Sequence, residues 1–129
     1  MKLAESPVIL LVDDEPLIRM GAVGILTDCG AIVLEAGNAD EALRILESRD
    51  DIQLVFSDVN MPGTINGLTL LERVHALRPM VELILTSGRR QFAKSELPDD
   101  GTFLPKPYNV FKLCDLVSDK LGRAPDPQE

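Results

Sequence analysis

Short apolar runs alternate along the chain with stretches whose apolar positions recur at helical spacing. The first run, VILLV at Val8–Val12, is unbroken, which is typical of a strand buried on both faces of a parallel sheet. Further strands are predicted for AIVLEA, LVFSD, VELILTS and a short stretch within GTFLPKP. Because strands and helical stretches alternate five times, the pattern predicts an α/β fold with an open parallel sheet, helices on both faces and right-handed crossovers.

Local signals mark the ends of the predicted helices. Pro16 suits the first turn of the first helix, and Gly30 suits its end. Asn38, with Glu41 three residues later, is a capping-box-like start for the second helix. The third helix is predicted for GLTLLERVHALR, and Asn109 is a candidate N-cap for a closing helix over NVFKLCDLVSDKLG.

The stretch GRRQFAKSELPDDG does not fit this scheme. It lies where a fourth helix belongs, yet its apolar positions are sparse and Pro98 limits its length. We therefore expect a short or irregular fourth helix there.

Length and composition indicate one soluble domain. The chain has 129 residues, of which 45% are hydrophobic and 26% are charged. The domain is predicted to span residues 1–122, and the polar, Pro-rich tail 123–129 is expected to be disordered. No apolar stretch is long enough to span a membrane, and the start MKLAESP lacks the apolar core of a signal peptide. A cytoplasmic location is therefore expected.

The charge of the chain and its two cysteines exclude several kinds of site. The net charge of −8 argues against general affinity for nucleic acid or for an anionic membrane. Cys29 and Cys114 match no metal-ligand spacing and are expected to be reduced, packed thiols. The single histidine, His75, is expected on a helix surface, and a zinc site is not expected.

Polar side chains lie at the carboxyl ends of four of the predicted strands. Each is ordinary by itself, because such residues often cap helices or are solvated, but their convergence on one edge of the sheet is unusual. Ligands of open α/β sheets bind at this edge. The residues are Asp13 and Asp14 at the end of the first strand, Asp58 at the end of the third, Thr86 and Ser87 at the end of the fourth, and Lys106 at the end of the fifth.

The chemistry of this group points to phosphate and a hard cation. Three neighbouring carboxylates repel one another unless a cation joins them. Oxygen ligands without His or Cys suit Mg²⁺, with Mn²⁺ as the alternative. A carboxylate beside a metal, an ammonium and a hydroxyl is suited to receiving a phosphoryl group.

The segments LLVDDEP, VFSDVNMPG with NG shortly after, ILTSG and FLPKPY occur in this order. Together they resemble the receiver domain of two-component response regulators, over about Val8 to Leu121. The resemblance implies a flavodoxin-like, doubly wound, five-stranded parallel sheet with strand order 2-1-3-4-5.

The resemblance also implies a magnesium site and a phosphoacceptor. Asp58 would be the phosphoacceptor and a metal ligand. Asp14 would bind Mg²⁺ directly, Asp13 directly or through water, and the backbone carbonyl of Asn60 would be a further ligand.

The resemblance implies a second set of roles, in the conformational switch that follows phosphorylation. Lys106 would contact the phosphoryl oxygens, and its bond to Pro107 would be cis. Thr86 would be the hydroxyl that moves to the phosphoryl group, and Phe103 the aromatic residue that turns inward with it.

Four departures from the family pattern stand out. Three residues, TIN, separate Met-Pro-Gly from Gly67, where two are usual. Phe103 lacks the hydroxyl of the commoner Tyr, which excludes a switch that hydrogen-bonds through this ring. Ser87 offers a second hydroxyl beside Thr86, although we favour Thr86. The sparse apolar positions where the fourth helix belongs call into question the family's usual output surface, which the fourth helix, the fifth strand and the fifth helix form.

The function implied is that of a stand-alone response regulator. It would take phosphate on Asp58 from a sensor histidine kinase or a histidine phosphotransfer protein, and then signal by conformational change to an unidentified downstream protein or relay the phosphate. Phosphorylation and hydrolysis would be self-catalysed, without ordinary turnover of an external substrate. A homodimer through the first and closing helices or the fifth strand is an open alternative.

Two other functions are weighed against this one. A receiver-like scaffold that is not phosphorylated would typically have lost part of the set, whereas Asp58, Thr86 and Lys106 are all present. A haloacid-dehalogenase-type phosphatase needs a second Asp two residues after the first, and Asn60 occupies that position.

Overall fold

The computed structural model of the protein describes residues 6–98 and 101–122. Its five strands are β1 (Val8–Val12), β2 (Ile32–Ala36), β3 (Ile52–Asp58), β4 (Glu82–Ser87) and β5 (Thr102–Pro105). All neighbouring strands are parallel, and their order is β2-β1-β3-β4-β5. The predicted flavodoxin-like fold class and strand order are confirmed.

In the described part of the chain, four α-helices flank the sheet: α1 (Pro16–Asp28), α2 (Ala39–Ser48), α3 (Gly67–Leu77) and α4 (Val110–Leu121). The side-chain oxygens of Asn38, Asn66 and Asn109 each accept a backbone N–H from three residues later, at 2.8–2.9 Å. These caps fix where α2, α3 and α4 begin. Asn38 and Asn109 were predicted as N-caps, whereas the cap at Asn66 was not.

The core has two layers, one on each face of the sheet. Leu10 and Val12 of β1 pack on the side of α2 and α3. Ile9 and Leu11 pack on the side of α1 and α4. Because successive side chains of a strand point to opposite faces, a strand covered on both sides needs an unbroken apolar run. This is the physical reason for the VILLV pattern.

Among its described residues, the chain between β4 and β5 contains only a short 3-10 helix, Lys94–Glu96. We call residues 88–98 the β4–β5 segment. Within it only Phe92 and Leu97 are buried hydrophobic residues. Two buried apolar side chains five positions apart do not form the continuous stripe that holds an α-helix against a sheet. The prediction of a short or irregular fourth helix is confirmed.

The cysteines lie in the layer between α1 and α4. Cys29, which caps the C-terminus of α1, and Cys114 of α4 are both buried, with Cα atoms 6.2 Å apart. The structure joins them in a disulfide. The expectation that both are packed is confirmed, whereas the expectation of reduced thiols is wrong for this structure. They are 85 residues apart in sequence, so only the packing of α1 against α4 brings them together.

Two further expectations concern membrane-spanning helices and the C-terminal tail. Across the described residues, every helix is too short or too polar to traverse a lipid bilayer. The predicted tail, residues 123–129, lies outside the described residues.

Candidate functional site

Asp58 is the last residue of β3, at the carboxyl edge of the sheet. It lies beside Thr86 of β4 in the strand register, and the Val59 N–H donates to the Thr86 carbonyl at 3.0 Å. The Asp58 side chain is nearly buried, with the residue 5% exposed. A buried strand thus delivers one carboxylate to a fixed place at the sheet edge.

Asp13 and Asp14 directly follow β1, which is the neighbour of β3 in the sheet. The Asp13 N–H donates to the Ala36 carbonyl at 3.1 Å, and Asp13 Oδ1 accepts the Glu15 N–H at 2.9 Å. One carboxylate oxygen from each of Asp13, Asp14 and Asp58 lies within 4.8 Å of the others. The convergence of the three predicted carboxylates is therefore observed.

Lys106 reaches the same point from the end of β5. Its N–H donates to the Ser87 carbonyl at 3.0 Å, which anchors it to β4. Its Nζ lies 3.3 Å from Asp58 Oδ2 and 3.5 Å from Asp13 Oδ2, and the side chain is 17% exposed. The Lys106–Pro107 peptide bond is cis.

Burial is the largest influence on the ionisation of Asp58 and raises the pKa of its carboxyl group above the ordinary value of 3.8. The Lys106 ammonium lowers this pKa, the Asp13 carboxylate raises it, and a hydrogen bond from the Asn60 backbone lowers it. Burial, aided by the Asp13 and Asp58 carboxylates, also raises the pKa of Tyr108 to about 12. The Tyr108 phenol is therefore protonated at neutral pH.

The donor atoms of this cluster fit a hard divalent cation. Three carboxylates converge, whereas one ammonium among the described residues contacts them, so their negative charge is not balanced. The donors are all oxygen, which suits Mg²⁺ or Mn²⁺ rather than zinc. Asn60 follows β3 at this edge and is exposed; the role of its carbonyl as a ligand stays a prediction.

The two hydroxyls that end β4 differ in their partners. Ser87 Oγ accepts the N–H groups of Arg89 at 3.2 Å and Arg90 at 3.3 Å. Thr86 Oγ1 is buried and has no hydrogen-bond partner among the described residues. A buried hydroxyl without a partner is costly. Thr86 is therefore the hydroxyl that is available to a ligand, which favours it over Ser87.

Phe103 of β5 faces the β4–β5 segment. Its ring centroid lies 5.6 Å from that of Phe92, with the planes tilted by 54°. The Arg90 guanidinium lies 4.2 Å from the centroid of the Phe92 ring, and Arg90 also forms an ion pair with Glu96. The predicted switch aromatic residue is therefore in contact with the segment that replaces a fourth helix.

Arg19 of α1 contacts the same edge, and no pattern in the sequence predicts this role. Its Nη1 donates to the Asp13 carbonyl at 2.7 Å, and its Nε donates to Glu35 Oε1 at 3.1 Å. These partners are 6 and 16 residues away in sequence. A single Arg in the second turn of a helix gives no signal of such contacts, because they depend on how α1 lies over the sheet.

An apolar groove borders the cluster on the side of α1. Its volume is about 500 Å³. The lining includes Leu17, Ile18, Lys106, Pro107 and Tyr108. Leu17 is 81% exposed and the adjacent Ile18 is 36% exposed, so the groove presents neighbouring apolar side chains to solvent. Lys106 belongs both to this groove and to the carboxylate cluster.

Comparison with known proteins agrees with this geometry. Residues 9–118 match the response regulator receiver domain family. The sensor kinase CckA of Brucella abortus is 39% identical over 126 residues, which cover 94% of this chain but 13% of the kinase. The chain is therefore similar to a small part of that relative.

Solved structures of receiver domains are also similar. The receiver domain of the hybrid histidine kinase CckA superposes with a TM-score of 0.76 at 36% identity, covering 88% of this chain and 98% of that one. The response regulator TrrA of Thermotoga maritima, solved in complex with Mg²⁺ and BeF, gives a TM-score of 0.77 at 28% identity. That match covers 89% of this chain and 99% of TrrA.

Proposed function

The chain belongs to the response regulator receiver family, and on this premise we propose that Asp58 accepts a phosphoryl group from a phosphohistidine in a magnesium-dependent reaction. One observation supports the proposal above all. The Asp58 carboxylate is nearly buried at the sheet edge, 3.3 Å from the Lys106 ammonium and within a cluster of three carboxylates. Such an arrangement suits transfer of a phosphoryl group to an oxygen nucleophile.

In the proposed reaction an Asp58 oxygen forms a bond to phosphorus while the bond from phosphorus to the donor imidazole nitrogen breaks. The departing nitrogen keeps the electron pair and takes up a proton. The Lys106 ammonium, which already contacts Oδ2 of both Asp13 and Asp58, would donate hydrogen bonds to the phosphoryl oxygens. The Thr86 hydroxyl, which lacks a partner among the described residues, would donate a further one.

The metal would be held by the carboxylates of Asp13, Asp14 and Asp58, with the Asn60 carbonyl as a further protein ligand. Mg²⁺ is the proposed ion, and Mn²⁺ could replace it because both prefer oxygen donors. When bound, the cation would supply positive charge that offsets repulsion between Asp58 and the phosphoryl oxygens.

The signal would leave the site through Thr86 and Phe103. Movement of the Thr86 hydroxyl towards a phosphoryl group would free space near β5 into which the Phe103 ring could turn. Because that ring packs on Phe92, such a turn would alter the contacts that hold the β4–β5 segment. An unidentified downstream protein would recognise the changed surface, or phosphate would pass on to another histidine.

The donor would be a sensor histidine kinase or a histidine phosphotransfer protein, in the cytoplasm. Its phosphohistidine has to reach Asp58 from the open edge of the sheet, so its surface has to rest on the rim of the site. The apolar groove that contains Leu17, Ile18 and Tyr108 borders Lys106 on that rim. We propose that the donor protein contacts this groove.

Intact mass spectrometry after incubation with a small-molecule phosphodonor, acetyl phosphate, tests the proposal. Wild type, Asp58→Asn and Asp119→Asn are compared with and without Mg²⁺. Asp119 is an exposed residue of α4 and serves as a carboxylate control. We expect one phosphoryl group on wild type and on Asp119→Asn with Mg²⁺, and none on Asp58→Asn.

Each other outcome has a definite meaning. No gain of mass under any condition would overturn the proposal and leave a receiver-like scaffold that is not phosphorylated. A gain on Asp58→Asn equal to that of wild type would assign the phosphoryl group to another residue. A gain that does not depend on Mg²⁺ would refute the metal requirement.

A further inference from the structure

Arg19 bridges the ends of two neighbouring strands. The guanidinium donates from Nη1 to the Asp13 carbonyl at 2.7 Å and from Nε to Glu35 Oε1 at 3.1 Å. Asp13 follows the end of β1, and Glu35 is the penultimate residue of β2. The Arg19 side chain is 24% exposed, so these bonds are partly shielded from water.

The bond to Asp13 completes the hydrogen bonding of a buried peptide group. Asp13 is 3% exposed, and its N–H donates to the Ala36 carbonyl on the β2 side. The β2 strand ends at Ala36, so the hydrogen-bonded pairing of β1 with β2 stops there and supplies no backbone N–H to the Asp13 carbonyl. A buried carbonyl requires a partner. The Arg19 Nη1 group takes the place of that N–H, as a charged and therefore stronger donor.

This bond also fixes the orientation of the peptide between Asp13 and Asp14. The Asp13 carboxylate has partners of its own, because Oδ1 accepts the backbone N–H of Glu15 and Oδ2 contacts the Lys106 ammonium. Asp14 is half-buried and is one of the three clustered carboxylates. Its direction depends on the plane of the peptide that precedes it, and Arg19 holds that plane through the Asp13 carbonyl.

Glu35 keeps the Arg19 guanidinium aimed at the carbonyl. A cation near three carboxylates is attracted to them, and a guanidinium that paired with Asp14 would compete with a metal for the same oxygens. The ion pair with Glu35 gives Nε a different anion, on β2, which β1 separates from the strand that carries Asp58. The two contacts therefore act together on one side chain.

We propose that Arg19 is a positioning residue that sets the affinity of the Asp13–Asp14–Asp58 cluster for Mg²⁺ by fixing the Asp13–Asp14 peptide. The inference rests on the magnesium site of the proposed function. Partners of this kind, which orient ligands without touching the metal, change metal affinity by roughly 10- to 100-fold when removed.

Isothermal titration of the unphosphorylated protein with Mg²⁺ tests the proposal. The variants are Arg19→Met, Arg19→Lys, Glu35→Gln and, as a control, Arg44→Met on the exposed face of α2. We expect Arg19→Met to weaken Mg²⁺ binding roughly 10-fold, the lower end of such effects. Arg19→Lys, which keeps one donor for the Asp13 carbonyl, should recover part of that loss, and Arg44→Met should bind as wild type does.

Thermal unfolding in EDTA, measured on the same variants, separates positioning from mere support of the fold. A purely structural role would lower the melting temperature of Arg19→Met and leave the Mg²⁺ dissociation constant of the folded protein unchanged. That pair of results would overturn the proposal. Tight binding by Glu35→Gln with weak binding by Arg19→Met would keep the role of the carbonyl contact and remove that of the ion pair.

The failure of the inference differs from the failure of the proposed function. If wild type itself does not bind Mg²⁺, then the proposed metal site is wrong and Arg19 has nothing to position. If wild type binds Mg²⁺ and Arg19→Met binds it within twofold of wild type, only the inference about Arg19 is wrong.

Discussion

Gly67, the first residue of α3, lies directly against the backbone of Asp58. A Cβ at position 67 would overlap the Asp58 carbonyl oxygen and lie 2.7 Å from the Asp58 carbonyl carbon. The Gly67 N–H also donates to the Val59 carbonyl at 2.9 Å. The start of α3 is thus held against the end of β3, which carries the proposed phosphoacceptor. Only glycine at position 67 permits the two backbones to approach so closely.

Gly67→Ala is therefore expected to lower the free energy of unfolding by about 3 kcal/mol, since the added methyl meets backbone that cannot move aside. Urea unfolding followed by circular dichroism measures this effect. Gly24→Ala on the exposed face of α1 is the matched control, because a Cβ there meets nothing within 4 Å. It should instead stabilise the protein by about 0.5–1 kcal/mol. Equal free energies for wild type and Gly67→Ala would contradict the contact.

The raised pKa of Asp58 predicts that its ionisation opposes folding in the absence of metal. The carboxyl group favours the folded state most below its ordinary pKa of 3.8, and this contribution is lost as the pH rises through the higher folded value. Asp58→Asn removes the charge and keeps the shape. In EDTA at pH 7 we expect this variant to melt higher than wild type, where about 1 kcal/mol corresponds to roughly 3–6 °C.

Scanning calorimetry across pH checks the sign of this effect. The advantage of Asp58→Asn over wild type should shrink as the pH falls towards 3.8, because the wild-type carboxyl then becomes neutral too. An advantage that grows on acidification would mean that the Asp58 pKa is lowered, not raised. Added Mg²⁺ should raise the melting temperature of wild type more than that of the variant.

Lys106 and Asp14 should differ in what they do for the site. Lys106→Ala removes a cation and no metal ligand, so Mg²⁺ affinity should stay within about threefold or rise, while the response to phosphorylation is impaired. Asp14→Ala removes a carboxylate of the cluster, so Mg²⁺ affinity should fall roughly 10-fold or more and phosphorylation should slow. Mg²⁺ titration together with intact mass measures both. Equal Mg²⁺ affinity in wild type and Asp14→Ala would refute the role assigned to Asp14.

The sequence allowed the strands and the main site residues to be predicted for a simple physical reason. Each polar residue of the cluster lies at the end of a mainly apolar run, and the carboxyl ends of parallel strands share one edge of a sheet. The position of Asp13, Asp58 and Lys106 on that edge follows from the strand pattern alone. The strand order did not follow from this pattern and came from the resemblance.

Contacts between elements could not be predicted in the same way. The bond from Arg19 to the Asp13 carbonyl, the pairing of Cys29 with Cys114 and the approach of Gly67 to Asp58 all depend on where a crossover places a helix. Periodicity identifies the buried face of a helix but does not say which residue of a neighbouring element that face meets.

The disulfide between Cys29 and Cys114 predicts a redox-dependent stability. It closes a loop of 85 residues, for which the chain-entropy relation gives about 4.5 kcal/mol of stabilisation. Urea unfolding with and without a phosphine reductant measures the difference, and intact mass reports whether two hydrogens are gained on reduction. The Cys29→Ser, Cys114→Ser double variant should not respond to the reductant. A wild-type mass that is unchanged by reduction would show that the thiols are free in solution.

The packing of Arg90 on Phe92 predicts how the β4–β5 segment can be loosened without touching the site. Arg90→Met removes both the contact with the Phe92 ring and the ion pair with Glu96. Together these are worth about 1 kcal/mol at a partly exposed position. Amide hydrogen exchange within residues 88–98 should therefore quicken about fivefold. Lys94→Met, on the exposed face of the same segment, is the control and should leave exchange unchanged.

If Phe103 transmits phosphorylation to this segment through Phe92, the difference in exchange between phosphorylated and unphosphorylated protein should be smaller in Arg90→Met than in wild type. A difference of equal size would show that the signal leaves by another surface.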